Sequence, residues 1–501
     1  MPLPVTGRRT LVLGAVAGAV AAASGVADEA EAATTDPVLH LLRRATYGPT
    51  PALVAAVRTK GAGAWLESQL APTKVADPVV DKLMTRWPRR GWTSSEVRAQ
   101  IVPSQRWDYM YGTVEQHLAR ALWSERQLYE LVVDLWTNHL VVPVPSSDVW
   151  DNAHLYQRDV IRKHAFGRYR DLLGAATRHP ALLQVLDNAS STKTRPNENH
   201  ARELLELHTV GVGSYTEADV RDAARVLTGL SVDSRSGAYV YLPQRHHVGR
   251  VTVLGWSHAN DSAAGGEQVA LSLLAYLAAH PATAKRIATK LAVRFVTDSP
   301  PAALVTRLAG VYTAQGTAVV PVLRALFASP EFAASAGKKV KTPYEDAMAS
   351  LRLAGARPPA SGTGDLRKLL WTLQGLGQAP MGWPRPDGYP DVAAAWSSAS
   401  TTLLRWNLHL AVLGGWRYPT LTRSAPRSLL PAKLPTTYGA YVDALAKRLL
   451  VTPLNAAQRT ALCTYLEHRP ADKLKATDGA VGWRLPYVAA LILDTPNFAT
   501  R

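Results

Sequence analysis

The sequence predicts a mainly α-helical protein, a multi-helical globular body carrying one small β-hairpin. Two observations predict it. Apolar residues recur at spacings of three and four along most of the chain, as in 113–139, 152–176 and 438–450, which is the period of a helix with one buried face. Strand composition, aromatic and β-branched, is confined to 238–242 and 251–254, two short runs read together as a hairpin.

The totals bound the rest. A chain of 501 residues with 47% hydrophobic content can bury a large core. It is read as one large helical domain, 33–501, with any sub-domain boundary near the Pro/Gly/Ser-rich stretch 357–364. The formal charge of +17 suits an anionic envelope surface or an acidic polysaccharide. Arginine is scattered rather than blocked, and no helix-turn-helix, zinc-finger or RNA-binding pattern accompanies it, so nucleic acid is not the expected partner. The single Cys463 leaves no internal disulfide and no cysteine-based zinc site. Fourteen Trp against five Phe supply flat faces that either pack in a core or stack on sugars.

In chain order, Arg8-Arg9 precede a mildly apolar run to Val26, and Ala30-Glu31-Ala32 follows. This is the pattern of a twin-arginine export signal spanning 1–32, too short to remain as a membrane span once cleaved. The expected location is therefore secreted or cell-envelope. Thr50 before Pro51 starts a helix. Residues 113–139 read as one long helix and 152–176 as an amphipathic one. Helices follow at 267–279, 281–296, 302–313, 319–328 and 366–376. The run 377–391, rich in Pro, Gly, Trp and Tyr, cannot be helical and reads as an ordered loop.

The densest polar stretch is RPNENHARELLELHTVG, Arg195 to Gly211. Asn197 can cap a helix, Glu198 suits its first turn, and Gly211 ends it. Thr216 with Asp219 caps a second helix. Asn199, Glu203 and Glu206 fall at helical spacing on one side, and His208 sits at the helix end. Arg202 between Glu198 and Glu206 reads equally well as ordinary ion-pair support of a solvated face.

That stretch is similar to the signature of the domain-of-unknown-function eighteen-hundred family of bacterial, usually exported proteins. The resemblance extends to Trp136, Asn138 and His139, to Leu186-Asp187-Asn188, to His246, and to the loop Trp383-Pro384-Arg385-Pro386-Asp387-Gly388-Tyr389. The chain departs at His200, where the family has Tyr, and at His247, where Asp is usual. The resemblance implies a fold and a residue list but no reaction.

Paired carboxylates, aromatic loops and export point to a hydrolase acting on a polysaccharide, anionic or neutral. Glu203, Glu206, His208 and Asp187 are the candidate catalytic groups. Trp136, Asn138, His139, Asn197, Asn199, His246, Trp383, Asp387 and Tyr389 are the candidate substrate contacts. Carboxyls three apart on a helix are too close to flank a glycosidic bond, so one partner must come from elsewhere. The alternatives are a non-enzymatic binder of anionic polymer, in which the polar runs form buried networks, and a divalent-metal protein using Glu203, Glu206, His139, His208 and His246, for which no spacing defines a site. The sequence assigns no cofactor, metal or oligomeric state. The polar and aromatic runs are expected to meet at one place, since charges buried separately would lack partners.

Overall fold

The apolar period does what it should: the computed structural model, which describes residues 36–421 and 423–501, is mainly α-helical. The expected export signal lies outside the described residues. Among those residues, the only strands form two antiparallel pairs, and no helix is long and apolar enough to cross a membrane. A continuous set of buried apolar side chains runs from Leu39 to Phe498.

Caps fall where the side-chain chemistry puts them. Thr50 accepts from the Leu53 amide, Asn197 from His200, and Thr216 with Asp219 forms a complete capping box. Each satisfies first-turn N–H groups that have no partner inside the helix.

The single long helix expected at 113–139 is two helices, α1 (Arg106–Trp123) and α2 (Gln127–His139). The break is made from far away. The Asp77 carboxylate accepts from the Ser124 hydroxyl at 2.6 Å and the Glu125 amide at 3.1 Å, which competes with helix continuation. The expected helix at 152–176 is likewise divided. Tyr156–Arg162 is π-helical, and a bend at Phe166-Gly167 precedes the α-helix Tyr169–Thr177.

The dense polar stretch builds α3 (Glu198–Glu203), continues as a π-helix over Leu204–His208, and turns into α4 (Glu217–Leu227). Then come β1 (Leu230–Val232), β2 (Tyr239–Tyr241), β3 (Val251–Val253) and β4 (Trp256–His258). The two expected strands are present but do not pair with each other. β2 pairs with β1, placing Leu230 opposite Tyr241, and β3 pairs with β4, placing Val251 opposite His258. The segment between β2 and β3 is taken up by a short 3₁₀ turn, Pro243–Arg245, and by the buried His246, whereas β3 and β4 need only the tight Leu254-Gly255 turn.

Four further helices are α5 (Pro281–Phe295) and α6 (Pro343–Leu353), which border the site, α7 (Ala399–Gly414), which packs on α6, and α8 (Leu485–Leu493), which packs on α7. The 357–364 stretch is held by Arg86, whose guanidinium donates to the carbonyls of Pro359, Ala360 and Gly362. The chain end returns to the core. Arg501 N–H donates to the Lys339 carbonyl at 2.8 Å, and Lys341 N–H to Ala499 at 2.9 Å.

Candidate functional site

A cleft of about 360 Å³ opens between α2, α5 and the 378–391 loop. Helical spacing decides which side chains reach it. Asp134, Thr137 and Asn138 come from one face of α2, and Lys290 and Arg294 from one face of α5. The loop supplies Trp383, Asp387, Tyr389 and Asp391.

Asn138 fixes the loop. Its Nδ2 donates to the Tyr389 carbonyl at 2.8 Å, and its Oδ1 accepts from the Tyr389 N–H at 2.7 Å. This two-point pairing brings the backbone so close that only glycine fits at 388: φ is +77°, and a Cβ there would lie 2.0 Å from the Asn138 carbonyl oxygen. Trp383 and Tyr389 lie with ring centroids 4.8 Å apart. Trp383 Nε1 donates to Asp387 at 2.6 Å, and Arg385 pairs with the same carboxylate at 3.2 Å. Asp387 is exposed at the mouth of the cleft.

The floor is an ion network. Arg294 meets Glu345 at 3.0 Å, Asp134 at 3.3 Å and Asp391 at 3.5 Å. Arg501 joins at Glu345 and Asp391, and Lys339 at Asp391 and Asp298. Burial pushes the Glu345 carboxyl up, but Arg294 and Arg501 outweigh it and hold it at about 2. Lys290 differs from these cations: it makes no hydrogen bond or ion pair with any described residue. Burial pulls its pKa down to about 8, with Arg286 adding to the effect against Asp391 and Asp387.

The sequence-nominated residues divide into three groups. Asn138, Trp383, Asp387 and Tyr389 converge in the cleft. Glu203 and Glu206 stand near it. Burial raises the Glu203 pKa first, then the charges of Glu206 and Asp387 raise it further, so α3 and the 378–391 loop act on one another electrostatically. Glu206 accepts from the Tyr215 hydroxyl at 2.7 Å. Arg202 does not pair with Glu198 or Glu206 but grips Glu217 with two bonds of 2.7 and 2.8 Å.

The second group is closed to solvent behind the cleft. Trp136 is fully buried, with Nε1 donating to the Ala165 carbonyl at 2.9 Å. His139 meets the Tyr169 hydroxyl at 2.9 Å, and that hydroxyl donates to the His208 carbonyl. Burial drives His208 down to about 3 and His139 well below the usual range, so both are neutral packing groups rather than proton donors at pH 7. The ring nitrogens of His200 and His208 have no partner among the described residues.

The third group lies apart. His246 is pinned between the Thr228 carbonyl at 2.8 Å and Asn260 Oδ1 at 2.9 Å, where it ties the end of α4 to the turn after β4. Asp187 is exposed with φ +57°. Asn197 serves the backbone, capping α3 and donating to the Leu186 carbonyl at 2.7 Å. Asn199 is exposed. Among the described residues, no group of three or more His, Cys, Asp or Glu side chains is placed to hold a metal ion.

Lys290, Arg294, Asp134 and Asp391 were not nominated from sequence. The signal was present in α5: two cations four residues apart in an Ala/Leu-rich helix repel each other on a solvated face, and their arrangement makes sense only beside carboxylates from other segments.

The fold and cleft define a mainly α-helical protein with a carboxylate- and aromatic-walled groove over a buried ion network. The chain belongs to the family described as "Protein of unknown function (DUF1800)", whose pattern matches residues 40–500. No curated protein matches the chain. No solved structure matches it.

Proposed function

We propose that the protein is an exported hydrolase whose cleft binds a hydroxyl-rich polymer, most simply a polysaccharide, and cleaves it by carboxylate acid/base chemistry. The observation carrying this reading is the pair Glu203 and Asp387. They come from distant segments, their charges are coupled, and Glu203 is biased toward its protonated form. Two carboxyl groups from separate segments, one of them with a raised pKa, are what acid/base cleavage of a glycosidic bond draws on. In this reading Glu203 donates to the leaving oxygen, Asp387 activates water or attacks, and Trp383 and Tyr389 stack on a sugar ring. A second exposed aromatic surface, Trp416 and Trp483 about Tyr487, suits an extended polymer.

Purified protein assayed against neutral and acidic polysaccharides tests the proposal. Glu203→Gln and Asp387→Asn should each lower turnover by about 10²-fold or more with the fold intact. Full turnover in either variant removes that residue from the mechanism. Lys290, unpaired in the cleft, favours a second reading: retention of an acidic polymer without cleavage. Calorimetric binding of an acidic polysaccharide, with no product from any substrate, would select it. For export, Arg8→Lys with Arg9→Lys should trap the precursor in the cytoplasm; unchanged export refutes the twin-arginine route.

A further inference from the structure

A second concavity, lined by arginine without a carboxylate, lies back to back with the cleft. It measures about 150 Å³ and adjoins a wider hollow of about 450 Å³, with which it shares Arg90, Thr113, Gln116 and His154. Met381 belongs to the walls of both the small cavity and the cleft. Four guanidinium groups line the small cavity, Arg90, Arg120, Arg158 and Arg162, and no Asp or Glu does. Helix α1 contributes Arg120. The π-helix Tyr156–Arg162 contributes Gln157, Arg158 and Arg162, and its wider turn lets all three reach the same space.

The four cations are not equivalent. Arg162 is occupied by Glu130, at 2.7 and 2.8 Å. Arg158 is occupied by Asp159, at 2.6 and 2.7 Å. Arg90 donates to the Met84 carbonyl. Arg120 has no hydrogen bond or ion pair with any described residue. Gln157 uses its Oε1 to accept from Thr137 at 3.1 Å, and no described acceptor takes its amide N–H groups. His117 turns away to Asp134 at 3.3 Å, so it brings no carboxylate into the cavity.

We propose that this cavity is a binding site for a tetrahedral oxyanion, a phosphate or sulfate group, held by Arg120 and the Gln157 amide with Arg90 and Arg158 at its rim. Guanidinium donors in a fixed fork match such an anion. The space holds one tetrahedral oxyanion with a few waters, each water needing about 30 Å³. Burial first, then the neighbouring Arg162 charge, pull the Arg120 pKa down to about 10 against the attraction of Glu130, which is itself bonded to Arg162. A carboxylate-free wall accepts an anion with no proton to donate, sulfate included. The proposal does not rest on the cleft being catalytic.

The test is calorimetry and thermal unfolding of the purified full chain in phosphate- and sulfate-free buffer. Sodium sulfate, sodium phosphate and glucose 6-phosphate are the probes, with sodium chloride at matched ionic strength as control. Saturable binding and a raised Tm are expected, weakened about tenfold or more by Arg120→Gln, the loss of one charge-assisted contact. Arg120→Lys, which keeps the charge but loses the fork, should bind between the two. Glucose 6-phosphate binding as well as the inorganic anions identifies an esterified group entering through the wider hollow. Inorganic anions binding alone identify a free ion. In anion-free buffer Arg120→Gln should match or exceed the wild-type Tm, because it removes a half-buried charge that makes no direct ion pair with a described residue and sits beside Arg162. The proposal is overturned if no probe binds beyond chloride, if Arg120→Gln binds as the wild type does, or if Arg120→Gln lowers the anion-free Tm or fails to fold.

Discussion

Replacing His409 by Leu tests how three helices are stapled together. His409 on α7 contacts Asp346 on α6 at 2.6 Å through Nε2, and Asp494, at the end of α8, at 2.7 Å through Nδ1. Arg405 joins at Asp346, at 2.9 Å. Both ring nitrogens face carboxylates, so the imidazolium, with two N–H donors, is the fitting form. Burial pulls the His409 pKa down, but Asp346 and Asp494 outweigh it and hold it at about 9, against 6.5 for a free ring. A raised folded-state pKa contributes stability that is complete below the unfolded value and disappears as pH rises through the folded one. The shift corresponds to about 3 kcal/mol below pH 6.5, about 2.5 at pH 7 and less than about 0.5 at pH 9. Removing the ring also leaves Asp494 without its partner, so the loss at pH 7 should be about 3–5 kcal/mol. Lys341 titrates nearby with the opposite sign. Burial lowers it to about 7, so its contribution rises with pH, and only the difference between wild type and variant isolates His409. Urea unfolding at pH 6, 7 and 9.5 measures that difference, which should shrink by about 2 kcal/mol or more between pH 7 and 9.5. Adding Asp494→Asn should recover part of the loss. A cost below about 1 kcal/mol at pH 7, or a pH-independent one, would refute the reasoning.

Gly388→Ala should destabilise by about 2 kcal/mol or more, since it combines a left-handed φ with a clash against Asn138; an unchanged Tm would show that the loop relaxes freely. His200→Phe removes two buried ring nitrogens that have no partner among the described residues and should leave stability unchanged or raise it by about 1 kcal/mol, read by urea unfolding; a clear loss would mean that the ring makes a hydrogen bond through water. Lys290→Met should leave Tm unchanged or higher, because no ion pair is broken, while weakening calorimetric binding of acidic polysaccharide; undiminished binding would place the anion contact elsewhere.

The sequence by itself determined the helical class, the caps at Thr50, Asn197 and Thr216, and two of the segments that meet at the cleft, the end of α2 and the 378–391 loop; the expected convergence of all the polar runs did not hold, since His246 and Asp187 lie apart. The class and the caps are legible because capping and amphipathic period are local, depending on residues within a turn or two. It also marked Asn138, Trp383, Asp387 and Tyr389, through motifs held close in the chain. Only the tertiary structure decided the rest. Asp77, about 50 residues away, breaks the helix between α1 and α2. β2 and β3 each find a partner other than the other. His139 and His208, polar in any sequence reading, become neutral packing groups because burial removes the water that would carry their charge. Lys290, Arg294 and Arg120 acquire meaning from their surroundings: in the sequence they are helix-surface cations, and only their neighbours in space show that Arg294 is paired while Lys290 and Arg120 face a cavity with no direct ion-pair partner among the described residues. Electrostatic free energy depends on distance and burial across the whole fold, and neither is encoded in local spacing.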